Sequence, residues 1–414
     1  MKKIVSSFLI IMLFLVTSIG INANTQSNDI SASTLFDKCI KKGNDFLYDY
    51  YHKINMKEDI DASKHINDIK LLQYIELKHT IMKNRLVRQN IEVSHSSIDV
   101  SYYNHNISDN KIEIIYNVLI KRQYKGCDEV AESMRQVKLE FANVNGFVNI
   151  TDYFEFTHFD LNVLSIQKNY DSQNSLSINP RNKSTYNFEF NDNLIEILEH
   201  ISTKETEFFD RLESTSHIKT SEIERTSVSS TARQNMVSYA LNNCSRNNPD
   251  SGNILYAPYY DFSDISGAYD CTNFTSHCLL AGGTSESPNW YFNSLSSRTP
   301  SWSGVNQFYE FIVNNTGIGP QAEERTLAYS CPYSYTNWKT GDIIQIKYSG
   351  YGYPDYGHNT IITGSYSPST YSYTPRITSR TSKNSYNRNE ILTVEYPIGS
   401  WVLDYRLLYL TSLW

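Results

Sequence analysis

The sequence predicts an α+β fold in two parts: a smaller N-terminal unit of one helix plus an antiparallel sheet, then a C-terminal domain of helices packed on an antiparallel sheet. Three observations predict it. Helical spacing in residues 60–90 gives way to strict alternation after residue 91. A polar, turn-rich stretch follows from about residue 166. Beyond residue 230 two helical stretches precede a run of strand-like segments.

The elements follow in order. The chain has 414 residues, enough for two or three domains, and its 40% apolar and 20% charged content supports a sizeable core. It opens on "MKKIVSSFLIIMLFLVTSIGINANTQS", with Lys2 and Lys3 before an apolar run from Phe8 to Val16. This predicts a secretory signal peptide over 1–23, cleaved after Ala23 or Gly20, too short for a membrane span and without a lipid-anchoring cysteine. The expectation is therefore a secreted protein, extracellular or cell-wall associated, with no membrane anchor once the signal is removed. Without the two signal lysines the formal charge is −9, which disfavours nucleic acid as a partner.

The N-terminal module is expected over 24–165. Ile66, Ile69, Leu72 and Ile75 mark an amphipathic helix. Ile91 and Val93 lead to Ile98, Val100 and Tyr102. Ile112, Ile114, Tyr116, Val118 and Ile120 alternate, as do Val137, Leu139 and Phe141. Asn145-Gly146 signals a hairpin into Val148 and Ile150. With no catalytic constellation, this unit reads as a binding or positioning module. Residues 166–229 read as a linker, with one helix expected in "NDNLIEILEHISTKETEFFDRLE". The C-terminal domain, 230–414, holds a helix in "TARQNMVSYALNNCSRNNPD", a second in "YDCTNFTSHCLLAGG", and strands near 341–348, from 358, around 371–378, and near 391–396 and 401–410.

The six cysteines at 39, 127, 244, 271, 278 and 331 are irregularly spaced, with no CxxC, so neither a structural zinc site nor any other cofactor is expected. Cys271 follows Asp270 at a helix start. Asp270 is expected to cap the first turn, and the macrodipole and free N–H groups there favour a thiolate and can hold an oxyanion. Cys278, in the stripe of Phe274 and Ala281, reads as core. His277 lies about 9 Å along the helix axis and about 120° round it from Cys271, out of reach, and reads as a surface or packing residue. After Cys271 the only other histidine is His358, which opens the strand "HNTIITG"; there it is either the base of a Cys–His pair or a strand-end surface histidine. Trp290, Tyr291, Trp302, Phe308 and Tyr309 read as core ahead of a substrate groove, and Asp342 as a turn-shaping residue.

Taken together, "DCTNFTSHCLLAGG", "NWYF", "PSWSGVNQFYEF", "KTGDIIQIKY" and "GHNTIITG" resemble a bacterial amidase-domain family related to the papain-like CHAP and NlpC-type cell-wall hydrolases, over about 230–410. The resemblance implies a papain-like fold with Cys271 as nucleophile and His358 as base. It also implies a histidine at a third position where "ITSRTSKN" carries Arg380; Ser379, Thr378 and Asn384 are the candidates to stand in. The function expected is cysteine-dependent amide cleavage through a thioester, with peptidoglycan stem peptides as the leading substrate. Acyl transfer to an amine and an impaired binding or adhesion protein are the alternatives. The oligomeric state, the disulfide pattern and the ligand of the N-terminal module stay open.

Overall fold

The computed structural model describes residues 26–108, 111–144, 147–157, 160, 190, 192–215, 228–246, 259–265, 268–326, 338–348, 356–369, 372–399 and 402–413. The segment expected as a signal peptide, Asn145-Gly146, most of the expected linker and Cys331 lie outside them.

The chain mixes helices and strands around antiparallel sheets. Helices α1 (Gln26–Met56) and α2 (Ile69–Arg88) precede strands β1 (Val93–Ser108), β2 (Lys111–Tyr124), β3 (Ala131–Val144) and β4 (Phe147–Glu155), then helix α3 (Asp192–Thr215). Alternation does in β2 what it predicts: Ile112, Ile114, Tyr116, Val118 and Ile120 point inward to one core with Val137, Leu139, Phe141, Val148 and Ile150.

The expected helix begins later than its apolar spacing suggests. Asp68 caps it, its carboxylate accepting the Leu71 N–H at 2.9 Å, so Ile66 falls before the helix and Ile69 is 69% exposed. The buried face is instead Leu71, Tyr74, Ile75, Lys78, His79 and Met82. Helix α1 is an addition to the expected elements; its Phe46, Leu47, Tyr50, Tyr51 and Ile54 carry the inward stripe.

Burial holds the His79 imidazole neutral, with its pKa down at about 4. Between its ordinary value near 6.5 and about 4, the unfolded chain binds a proton that the folded chain does not. Stability from this residue is therefore present above about pH 6.5 and lost as pH falls toward 4, by about 3 kcal/mol. His79→Leu should remove that part of the acid sensitivity, measured as the difference in urea unfolding between pH 7.5 and 4.5 for the two proteins.

The C-terminal part contains α4 (Ser230–Asn243), α5 (Cys271–Ala281), the short pair β5 (Phe292–Ser294) and β6 (Ser297–Arg298), then α6 (Pro300–Ser303), α7 (Val305–Asn314) and β7 (Pro320–Thr326). Strands β8 (Ile343–Tyr348), β9 (Tyr356–Ser369), β10 (Ser372–Ser382) and β11 (Ser385–Ile391) follow, then one helical turn, α8 (Leu392–Glu395), and β12 (Val402–Leu413). The strand expected near 391–396 is thus a strand end followed by a helical turn.

The two parts share one ten-stranded sheet, in the order β1-β2-β3-β11-β10-β9-β8-β12-β7, with β4 beside β3. The seam is β3 against β11, pairing Glu132 with Arg388, Ser133 with Asn387 and Met134 with Tyr386. One face carries Ile344, Ile346, Ile362 and Ile377 into the core shared with α1 to α3, and Tyr396, just after α8, joins them there. The other carries Ile343, Ile361, Leu408 and Leu410 against α4, α5 and α7. Buried ion pairs cross the seam, Arg122 with Glu390 at 2.9 Å and Arg135 with Glu395 at 2.9 Å, and Arg135 also pairs with Glu155 on its own side at 2.8 Å.

Candidate active site around Cys271

Helix α5 is buried on every side, from Cys271 to Leu279 and again at Ala281. A helix so placed must satisfy its polar side chains internally. Trp302 Nε1 donates to Asn273 Oδ1 at 2.7 Å, Thr275 Oγ1 to the Cys271 carbonyl at 2.9 Å, and Trp290 Nε1 to Ser276 Oγ at 3.2 Å. Gly282 stops the helix, its N–H shared among the Cys278, Leu279 and Leu280 carbonyls, and Gly283 follows with φ +95°, a conformation suited to glycine. Cys278 is fully buried, as expected of a core thiol. His277 is fully buried too, a packing residue rather than a surface one, its ring 4.6 Å from Tyr259 and 5.3 Å from Trp302. Trp290, Trp302 and Phe308 belong to this core, while Tyr291 and Tyr309 are half-buried. Asp342 shapes its turn as expected, accepting from the Lys339 N–H at 2.7 Å and from Arg233 at 2.6 Å.

Asp270 departs from expectation. It stands at the N-cap, but its carboxylate makes no capping bond to the first turn. It accepts from Arg380 Nε at 2.9 Å, Asn273 Nδ2 at 2.9 Å, the Phe262 N–H at 3.1 Å and the Tyr259 hydroxyl. Burial pushes this carboxyl up to about 7, against the pull of Arg380. The physical reason is competition: a fully buried guanidinium needs a carboxylate more than the helix needs a cap. The Asp270 N–H donates to the Thr381 carbonyl at 3.1 Å, which pins the start of α5 to β10.

Arg380 is thereby explained. Its side chain is wholly buried and donates to Asp270, to Asp261 at 2.5 Å, and to the Cys244 and Arg246 carbonyls, each at 2.8 Å. It ties the segment before α5 to the end of α4 and to β10.

The Cys271 thiol is 3% exposed. Burial pushes its pKa up, opposed by the Asn359 N–H, the Thr272 hydroxyl and the Thr272 N–H. The thiolate advantage expected from the helix start is therefore outweighed by desolvation. The Asn359 contact also locates the sulfur: it lies against the peptide unit that joins His358 to Asn359.

His358 is 1% exposed, so the surface reading fails. The two residues leave β9 on opposite faces. Asn359 reaches α5, its Nδ2 donating to Thr272 Oγ1 at 3.1 Å while its Oδ1 accepts from Gln345 Nε2 at 2.8 Å. His358 reaches Tyr396, whose hydroxyl lies 3.4 Å from His358 Nε2. Strand β10 alternates the same way: Arg380 faces Asp270, and Ser379 hydrogen-bonds the Tyr396 phenol. Ser379 thus stands one residue behind the imidazole. Asn384 lies in the β10–β11 turn, its N–H donating to Ser382 Oγ at 3.2 Å, beside a cavity of about 550 Å³ that Tyr103, His105 and Ser263 also line. Thr378 bonds Thr363 Oγ1 at 3.1 Å and the Asn389 N–H at 3.0 Å. A second cavity, of about 70 Å³, lies at the seam between Lys78, Arg135, Tyr269, Ser379 and Tyr396.

Tyr396 and Asn359 are the site residues that sequence reasoning missed. Asn359 was within reach, next to His358 in the quoted motif. Tyr396 carries no motif signal; only the return of the chain after β11 brings it to β9.

Residues 230–399 match the family described as Putative amidase domain, and residues 1–229 lie outside the match. Comparison with curated proteins and with solved structures finds no match.

Proposed function

We propose, from a chain whose residues 230–399 carry a domain of that amidase family, that the protein cleaves an amide bond with Cys271 as nucleophile and His358 as base. The observation that carries this is the Cys271 sulfur set at the start of a buried helix against the peptide unit of His358 and Asn359. Cys271 Sγ attacks the carbonyl carbon as its proton passes to His358. Backbone N–H groups at the start of α5, Cys271's own included, hold the oxyanion. The C–N bond then breaks, His358 returns the proton to the leaving amine, and water hydrolyses the thioester. Because desolvation holds the thiol up, the thiolate does not stand ready and needs a proton acceptor as it forms, the role proposed for His358.

A nucleophile on an early helix and a base on a later antiparallel strand is the papain-like order that the sequence resembles. The segment 1–23 supports export, and a peptide amide, with peptidoglycan stem peptides first, is the substrate proposed. Domain limits of 24–165, 166–229 and 230–414 go with this reading. Transfer of the acyl group to an amine uses the same steps with a different acceptor. The second reading, an exported binding or adhesion protein without activity, is favoured by the 3% exposure of Cys271.

The deciding experiment is mass spectrometry of purified cell wall and of peptide libraries after incubation with wild type and Cys271→Ser. Cleavage by wild type that the variant lacks supports the reading and names the bond. Identical products from both proteins would sink it.

A further inference from the structure

A groove lies on the sheet face turned away from the core of α1 to α3. Ile112 and Ile114 enter that core, so Glu113 and Ile115 of β2 face the other way. Strand pairing sets Asn106 of β1 opposite Glu113 and Asn104 opposite Ile115. Gln136 of β3, between the core residues' partners Arg135 and Val137, shares this outer face through its pairing with Asn117. The other wall is Ser263 with Asp264, and the β10–β11 turn with Lys383 and Asn384. Between the walls is the cavity of about 550 Å³. Small-ligand sites commonly span roughly 300–1,000 Å³.

Carboxamides dominate the lining: Asn104, Asn106, Gln136 and Asn384. A carboxamide sets donor and acceptor side by side, the match for hydroxyl and acetamido groups that do both. Among the described residues, the side chains of Asn106, Asp264, Lys383 and Asn384 make no hydrogen bond or ion pair within the protein. Tyr103, 48% exposed, and the half-buried Phe156 supply aromatic rings for the apolar face of a sugar. Two carboxylates, Glu113 and Asp264, against one ammonium, Lys383, disfavour a polyanion. An extended peptide would look for a free strand edge or for apolar pockets. This lining instead spreads over the faces of three strands, and Ile115 is its one aliphatic side chain among the described residues.

The groove is tied to the candidate active site in two ways. The Ser263 N–H donates to Asp261 Oδ1 at 2.9 Å, and Asp261 is held by Arg380, which also holds Asp270 just before Cys271. Phe156 lines both this groove and the smaller seam cavity, whose wall includes Tyr269 and Tyr396. We infer that the groove binds a saccharide, the sugar part of a glycan-linked peptide substrate, with one wall supplied by the N-terminal module and the other by the amidase domain. The module is then half of a binding site rather than an appended binder. The inference deepens the reading of the protein as an amide hydrolase and, as regards the substrate, rests on it.

The test is calorimetric titration of the full-length protein with a tetrasaccharide of N-acetylglucosamine, beside a free alanine pentapeptide. The saccharide should bind and the peptide should not. Asn106→Ala and Asn384→Ala, one on each wall, should each weaken saccharide binding about fivefold, the effect of one lost hydrogen bond. Asn106 is exposed and Asn384 half-buried, so thermal melting should stay the same in both variants. No binding at millimolar saccharide overturns the inference. So does binding that neither variant weakens, since the site then lies elsewhere, or that only one of them weakens, since the two walls then do not share it. Peptide binding that both variants weaken makes the groove a peptide site and overturns it as well. If Cys271→Ser yields the same products as wild type, the hydrolase reading fails instead, and the titration still decides whether the groove holds a saccharide.

Discussion

His358→Gln should lower the rate of amide cleavage by about 10²- to 10⁴-fold, the range that a positioned general base supplies. The expectation is a fall in kcat with KM nearly constant, because a general base acts on the proton rather than on ground-state binding. The buried thiol makes the effect large. Desolvation already opposes thiolate formation at Cys271, and the Asn359 and Thr272 N–H groups only partly offset it. Without a partner that becomes cationic as the thiol ionises, the nucleophile stays protonated near neutral pH. Steady-state kinetics on the substrate identified by mass spectrometry checks this, with iodoacetamide labelling of Cys271 as a substrate-free second measure. Equal kcat for the two proteins would remove His358 from the mechanism. A glutamine at this position can still meet the Tyr396 hydroxyl, so the fold around β9 should hold, and thermal melting tests that separately.

Arg380→Ala should destabilise the protein by about 3–5 kcal/mol, the cost of leaving a buried ion pair without one partner. Two carboxylates, Asp261 and Asp270, lose their guanidinium, and the Cys244 and Arg246 carbonyls lose their donors. Urea unfolding monitored by tryptophan fluorescence measures the loss. The triple variant Arg380→Met, Asp261→Asn, Asp270→Asn should recover a substantial part of it, because removing all three charges leaves none buried alone. A triple variant as unstable as the sum of its single changes would mean that the three charges do not act as a unit. Arg380→His, which installs the residue that the family resemblance implies, should also lose stability. An imidazole cannot reach four acceptors spread over two carboxylates and two carbonyls.

How much of this was legible in the chain itself depends on distance along it. The alternation in β2 was readable because one face of the sheet is buried and the other is not, so each residue reports its own side. The separation of Cys271 from Cys278 was readable for a similar reason, since helix position alone distinguishes a first turn from a middle. The start of α2 was misread because an apolar stripe does not reveal where a cap such as Asp68 takes hold. Asp270 was misread by the same local logic, which sees the nearest N–H groups and not an arginine 110 residues away.

Local pattern therefore determined most of the strands and the helix that Cys271 opens, while α1 went unread and the naming of His358 as base rests on the family resemblance. The parts that were read follow from spacing, from turn chemistry and from which residue types stand at element ends. The tertiary structure decided the rest. It joined β3 to β11 in a single sheet, committed Arg380 to Asp270 and Asp261, raised the Cys271 thiol by burial, and set Tyr396 behind His358. Each of these depends on what a buried polar group finds when the chain returns from far away, because hydrogen bonds and ion pairs out of water are chosen by proximity in space.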